Sequence, residues 1–201
     1  MKTTTTLYDG NQREERETYV VFGTARGGTS MVAGCMAGLG VHMGNNLPQN
    51  YEDPEFVNKP IDLMKATIER KCQHHTRWGW KYPEASTYLD HLKQDIPNPR
   101  VIVVFRDLVA IASKQNIANG VDIENGLINN SLLLQRNIAL VLKWQVPTLM
   151  VSYEKAVSFQ SEFLDELSAF VGFDLPEDKG ELLEFMQPGT YKATFANRYV
   201  T

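Results

Sequence analysis

The sequence of 201 residues predicts an α/β fold in three layers, with a central parallel sheet of four to five strands flanked by helices. Three observations carry this. Strand-like β-branched runs alternate with amphipathic helical patterns along the chain, the pattern of parallel strands joined by crossover helices. Val101-Ile102-Val103-Val104-Phe105, entered through Arg100, is continuously apolar, as in a strand buried on both faces. Tyr19-Val20-Val21-Phe22 enters a loop containing Gly23, Gly27 and Gly28, and Thr29-Ser30 then opens an apolar helical pattern at Met31, Val32, Cys35 and Leu39.

Residues 1–17 are polar, with four consecutive threonines and the charged run Arg13-Glu14-Glu15-Arg16-Glu17, and are expected to form a leader that is mobile at its start. A single α/β domain is expected over 18–201. Its first strand spans about 19–23 and its first helix about 29–39, closed by Gly40. Gly, Asn, Pro and Asp dominate 42–54, which reads as a loop. A helical pattern follows over about 55–72, interrupted by Pro60, and then a strand over 77–81. A helix is expected over 85–94, stopped by Pro97-Asn98-Pro99, then the strand at 100–105 and a helix over 108–119. Asp122 caps a long amphipathic helix to about Trp144. A buried strand at 147–152, a helix at 159–171 closed by Gly172, and a short helix near 179–186 complete the series. In such sheets ligands sit at the carboxyl ends of the strands.

Composition excludes several classes. With 43% apolar and 22% charged residues the chain reads as an ordinary globular protein, and a net charge of -4 argues against a nucleic-acid-coating surface. No apolar run approaches a membrane span, and the first residues lack a signal-peptide core. Two cysteines, Cys35 and Cys72, both in helical patterns, fit a reducing compartment, so a cytoplasmic protein is expected. Cys72, His74 and His75 lack the partner cluster that a structural zinc site needs, and no metal is expected.

The spacing Gly23, four residues, Gly28, Thr29-Ser30 matches a nucleotide-binding P-loop at every position but one: Thr29 stands where the lysine belongs. The fold class is accordingly P-loop NTPase-like. The cation has moved into the turn as Arg26, where a guanidinium and backbone amides can still enclose an anion. With its displaced cation, Arg26-Gly27-Gly28-Thr29-Ser30 resembles the first motif of the sulfotransferases, strand followed by Arg/Lys-Ser-Gly-Thr-Ser/Thr, with Gly27 in place of the usual serine.

That resemblance implies 3′-phosphoadenosine 5′-phosphosulfate as donor, held by Thr24, Ala25, Arg26, Gly27, Gly28, Thr29 and Ser30 around its 5′-phosphosulfate. In the family an arginine at a strand end and a serine eight positions later hold the 3′-phosphate. Here Arg106 matches the arginine, Leu108 replaces the family proline, and Ser113 and Lys114 compete for the second role. Trp80-Lys81-Tyr82-Pro83 resembles the family's Lys-x-Pro segment, which makes Lys81 a second catalytic cation. Asn50-Tyr51-Glu52-Asp53-Pro54-Glu55-Phe56 is similar to an acidic segment of bacterial members, with Glu52 as first choice of general base and Glu55 and His42 behind it. Ser152-Tyr153-Glu154 resembles a late strand-end segment taken as structural support. Lys192 lies where members close a loop over the nucleotide.

The implied reaction moves a sulfuryl group to a hydroxyl or amine of a small-molecule, carbohydrate or lipid acceptor, with no metal. Two rivals remain: an atypical P-loop kinase, for which Asp107 is the available magnesium ligand, and a nucleotide-binding protein without chemistry.

Overall fold

The computed structural model describes residues 1–8, 12–189 and 195. Its sheet has five strands, β1 (Thr4–Leu7), β2 (Glu17–Phe22), β3 (Arg77–Lys81), β4 (Pro99–Phe105) and β5 (Thr148–Ser152), in the order β1-β5-β4-β2-β3. The last four run parallel, and β1 adds an antiparallel edge against β5. Around them lie α1 (Thr29–Leu39), α2 (Ile61–His74), α3 (Leu108–Asn119), α4 (Ile123–Trp144), α5 (Tyr153–Ser158), α6 (Gln160–Val171) and α7 (Gly180–Met186).

The period of two along each strand builds the layers. Tyr19, Val21, Ile102, Val104 and Val151 face one side, where Val32 and Met36 of α1, Phe163 and Leu167 of α6, and Leu182 of α7 cover them. Val20, Phe22, Val101 and Val103 face the other, against Ile68 of α2, Trp78, Trp80, and Leu140 and Trp144 of α4. Helix α3 packs on α4. No helix among the described residues is long and apolar enough to cross a membrane.

Three expectations need correction. The start of the chain is not a free leader: Thr4, Thr5 and Thr6 open β1, as their branched side chains favour, and the Thr3 and Thr4 hydroxyls each donate to Glu166 of α6 at 2.7 Å. Glu17 opens β2 and is buried, hydrogen-bonded by Tyr19 at 2.7 Å and paired with Arg13 at 3.2 Å and Arg100 at 3.4 Å. The two ends of the charged run, Arg13 and Glu17, thus join an internal ion cluster with Arg100, while Glu14, Glu15 and Arg16 stay exposed. The segment 85–94 is two short 3-10 turns, Ala85–Thr87 and Leu89–His91, rather than a helix. The helix expected over 55–72 begins only at Ile61, because Pro60 has no amide to offer a helix interior.

The loop 42–54 lies along the outer edge of β3. His42 bridges Trp78, with Gly79 N–H donating to the His42 carbonyl at 2.9 Å, and Glu52 bridges Lys81. Two contacts pin this loop to α2. The His42 and His75 rings stack at 3.8 Å, and the buried Lys71 ammonium meets Asp53 at 2.7 Å. Lys71 also lies 5.6 Å from the Trp78 ring centroid.

Removing one member of a buried pair strands the other's charge. Asp53→Leu or Lys71→Met alone should therefore cost about 3–5 kcal/mol in urea unfolding, and the double substitution should recover most of that loss; single substitutions costing under about 1 kcal/mol would refute the pair's role.

Burial first, and then the charges of His75 and Lys71, push the His42 imidazole down to about 4 from its ordinary 6.5. As pH falls below 6.5 the unfolded chain binds a proton there that the native chain refuses, so stability drops until about pH 4, where both states are protonated. His42→Phe should lose less stability between pH 7 and pH 4.5 than the unaltered chain, measured as urea midpoints; equal losses would show that His42 does not carry this acid sensitivity.

Candidate functional site

Strand β2 delivers the chain into a turn whose backbone is strained for the sake of its shape. Arg26 has φ 66°, a left-handed conformation costing a non-glycine residue about 1–3 kcal/mol. Gly27 N–H closes the turn on the Thr24 carbonyl at 2.9 Å. A Cβ at position 27 would lie 2.5 Å from the Thr24 hydroxyl and 2.7 Å from the Thr24 carbonyl oxygen, so this turn has no room for the family's serine. Gly28, at φ 94°, is the N-cap residue of α1, and a Cβ there would overlap the Tyr153 ring. Beyond it, the first-turn amides of α1 have no acceptor within the helix, and the helix dipole favours an anion before them.

Side chains from three other elements hold this turn by its carbonyls. Asn137 of α4 donates to Gly23 O at 2.9 Å, Gln115 of α3 to Ala25 O at 3.3 Å, and Arg106, just beyond β4, to Arg26 O at 2.8 Å. The Arg106 guanidinium also stacks 4.4 Å from the centroid of Tyr153, the first residue of α5. Its Nε lies 3.9 Å from Glu154 and is buried without a hydrogen-bond partner. Asp107, the metal ligand that a kinase would need, instead caps α3 by accepting the Ala110 amide at 2.7 Å.

Ala25, Arg26, Gly28, Arg106 and Tyr153 of this assembly border a cavity of about 540 Å³ at the carboxyl ends of β2, β3 and β4. Arg26, Ser30, Glu52, Lys81, Arg106 and Lys114 supply its polar wall, along with the backbone of Ala25, Gly28 and Thr29. Burial, then the charges of Arg106 and Arg26, hold the Lys114 ammonium below the usual lysine range. Met31, Tyr153, Phe185 and Met186 form an aromatic and thioether side. On the opposite wall Lys81, 2% exposed, donates to Glu52 at 2.8 Å and to the Asn50 carbonyl at 3.1 Å. Burial pulls Lys81 below its usual range, and the Glu52 carboxylate opposes that fall. Tyr51, at φ 60°, turns the loop so that Asn50 can also accept the Glu52 amide at 3.2 Å.

The structure thus places apart the candidates that the sequence ranked for the base and left level for the second phosphate contact. Of the three possible bases, Glu52 alone is in the cavity wall; Glu55 is paired with Arg70 and Lys71, and His42 is stacked on His75. Lys114 lines the cavity and Ser113 does not. Thr24 and Gly27 shape the turn from beneath without lining the cavity. Lys192 lies outside the described residues. Tyr153, taken from the sequence as structural support, and the Phe185-Met186 wall were not recognised as lining residues, because an aromatic at a strand end or a short apolar helix reads as core.

No protein-family model and no curated protein sequence matches the chain. Solved structures do. The sulfotransferase domain of the Synechococcus PCC 7002 olefin synthase superposes with a TM-score of 0.59 at 15% identity, covering 90% of this chain and 80% of that one. Mouse sulfotransferase SULT7A1 complexed with PAP gives 0.55 at 13% identity over 90% and 69% of the two chains. Sulfotransferase STF1 of Mycobacterium tuberculosis H37Rv gives 0.53 at 14% identity over 85% and 71%. The chain has the sulfotransferase fold, with its glycine turn at the carboxyl end of β2, between β4 and the edge strand β3.

Proposed function

We propose that the protein transfers a sulfuryl group from 3′-phosphoadenosine 5′-phosphosulfate to an acceptor hydroxyl or amine. The observation that carries this reading is the cluster of Arg26, Arg106 and Lys114 around one cavity at the α1 N-terminus, with threonine in the lysine position of the loop. Such a cluster suits a ligand carrying phosphates at two positions. The loop amides and Arg26 take the 5′-phosphosulfate, Arg106 and Lys114 the 3′-phosphate, and the Met31, Tyr153, Phe185 and Met186 side the adenine.

The acceptor atom attacks sulfur in line, a new bond to sulfur forms, and the bond from sulfur to the 5′-phosphate oxygen breaks. Adenosine 3′,5′-bisphosphate leaves. Glu52 takes the acceptor's proton, and Lys81, held beside it, stabilises charge on the transferring group together with Arg26. No step needs a metal. The free thiols of Cys35 and Cys72 fit the cytoplasmic location that belongs to this reading.

Adenosine 3′,5′-bisphosphate without metal should raise the melting temperature, and magnesium-ATP should not; the reverse preference would replace the reading with a kinase. Arg106→Ala should weaken the bisphosphate by about 10- to 100-fold while changing adenosine 5′-phosphate much less, measured by calorimetry. Equal weakening would remove Arg106 from the 3′-phosphate. Glu52→Gln should abolish transfer and leave bisphosphate affinity in place; transfer at an unchanged rate would dismiss Glu52 as the base.

A further inference from the structure

A second cavity, of about 460 Å³, shares a wall with the first. Ala25 lines both. At two further places consecutive residues divide between them: Pro83 faces the first and Glu84 the second, and Lys114 faces the first and Gln115 the second. A ligand in the second cavity therefore needs to cross only the turn itself to reach the wall that holds Glu52 and Lys81.

The second cavity differs in chemistry from the first. Its polar wall is mostly planar groups, the amides of Gln115, Asn119, Asn129 and Asn130, the guanidinium of Arg136 and the carboxylate of Glu84, with the Thr87 hydroxyl turned back onto the Glu84 carbonyl at 2.7 Å. Two of them are engaged in building it: Asn130, 4% exposed, donates to Gln115 at 2.8 Å and to Gly126 O at 2.6 Å, and Gln115 reaches Ala25. The side chains of Asn119, Asn129 and Arg136 make no hydrogen bond or ion pair with another described residue. Their donors and acceptors remain available to a ligand. No aromatic ring is among the lining residues, and the carbon surface comes from Val121, Leu132 and Leu133.

Planar side chains of this kind present donors and acceptors in pairs, at the spacing of neighbouring hydroxyls on a ring. One arginine and one glutamate leave the wall without net charge. A flat phenol would find no ring to stack on and would leave the amides unpaired at a cost. We propose that this cavity binds the acceptor as a neutral polyhydroxylated molecule, a sugar or cyclitol, with one hydroxyl passing over Ala25 toward Glu52. The assignment as acceptor rests on the sulfuryl-transfer reading; the binding of a polyol does not.

Saturation-transfer NMR on the full chain with maltotriose and, separately, 4-nitrophenol tests it, using Asn129→Leu and Arg136→Leu at exposed positions whose folding circular dichroism can verify. Maltotriose should bind the unaltered chain, and each substitution should weaken it by about tenfold, with the affinity for adenosine 3′,5′-bisphosphate unchanged. Absence of maltotriose binding, binding indifferent to both substitutions, or 4-nitrophenol bound more tightly than maltotriose would overturn the proposal. So would loss of bisphosphate affinity in Arg136→Leu, which would give the cavity to the nucleotide. If the unaltered chain binds maltotriose in this way but not the bisphosphate, the donor reading fails and the polyol site stands.

Discussion

The Arg106 guanidinium joins the sheet, the glycine turn and the chain after β5 in one contact. It leaves the end of β4, donates to the Arg26 carbonyl at 2.8 Å and lies flat on Tyr153, whose ring occupies the space that Gly28 leaves by having no side chain. Each partner depends on the others. Without the left-handed backbone at Arg26 and Gly28 the carbonyl would not face Arg106, and without Tyr153 the guanidinium would lose the surface that orients it. A lysine in its place could carry the charge but neither stack nor keep its donors in a plane.

Charge is distributed unevenly over a protein of net charge -4. Most cations with carboxylate partners sit at structural joints: Lys71 on Asp53, Arg100 and Arg13 on Glu17, Lys143 on Asp90. Around the α1 N-terminus the balance reverses, and Lys114 is held below the usual lysine range by its burial first and then by the two arginines that share its space. Across the cavity Lys81 and Glu52 neutralise one another, so the positive field is confined to one wall. An anion would be drawn to that wall while the opposite one stays balanced, an arrangement that would orient a ligand as well as attract it.

Much of this was legible in the sequence, and the exceptions have physical causes. The strand, glycine turn and helix at 19–39 could be read because apolar period, glycine and helix opening all agree there. Arg106 and Lys81 could be placed because a cation directly after a buried strand emerges at the ligand end of the sheet. Glu52 is preferred over Glu55 from its segment alone, but the physical difference between them lies in the fold, since three residues along a loop decide between the cavity and a pair with Arg70 and Lys71. Lys114 and Ser113 are neighbours on a helix whose rotation is set by packing on α4. The N-terminal strand was missed because its partners, β5 and Glu166, lie almost a whole chain length away. The second cavity was equally hidden: its amides are scattered over two helices and gather only when α3 folds onto α4.

The loop carrying Glu52 runs beside β3, the last strand of the sheet, and fills the hydrogen-bonding positions that an edge leaves open, with His42 opposite Trp78 and Glu52 opposite Lys81. An uncovered strand of this composition, tryptophan-rich and lacking a proline, is a template for pairing with a second chain. The segment that presents the proposed base is therefore also a guard against self-association. Any sequence change that detached this loop from β3 to admit another molecule would also bare the margin of the sheet.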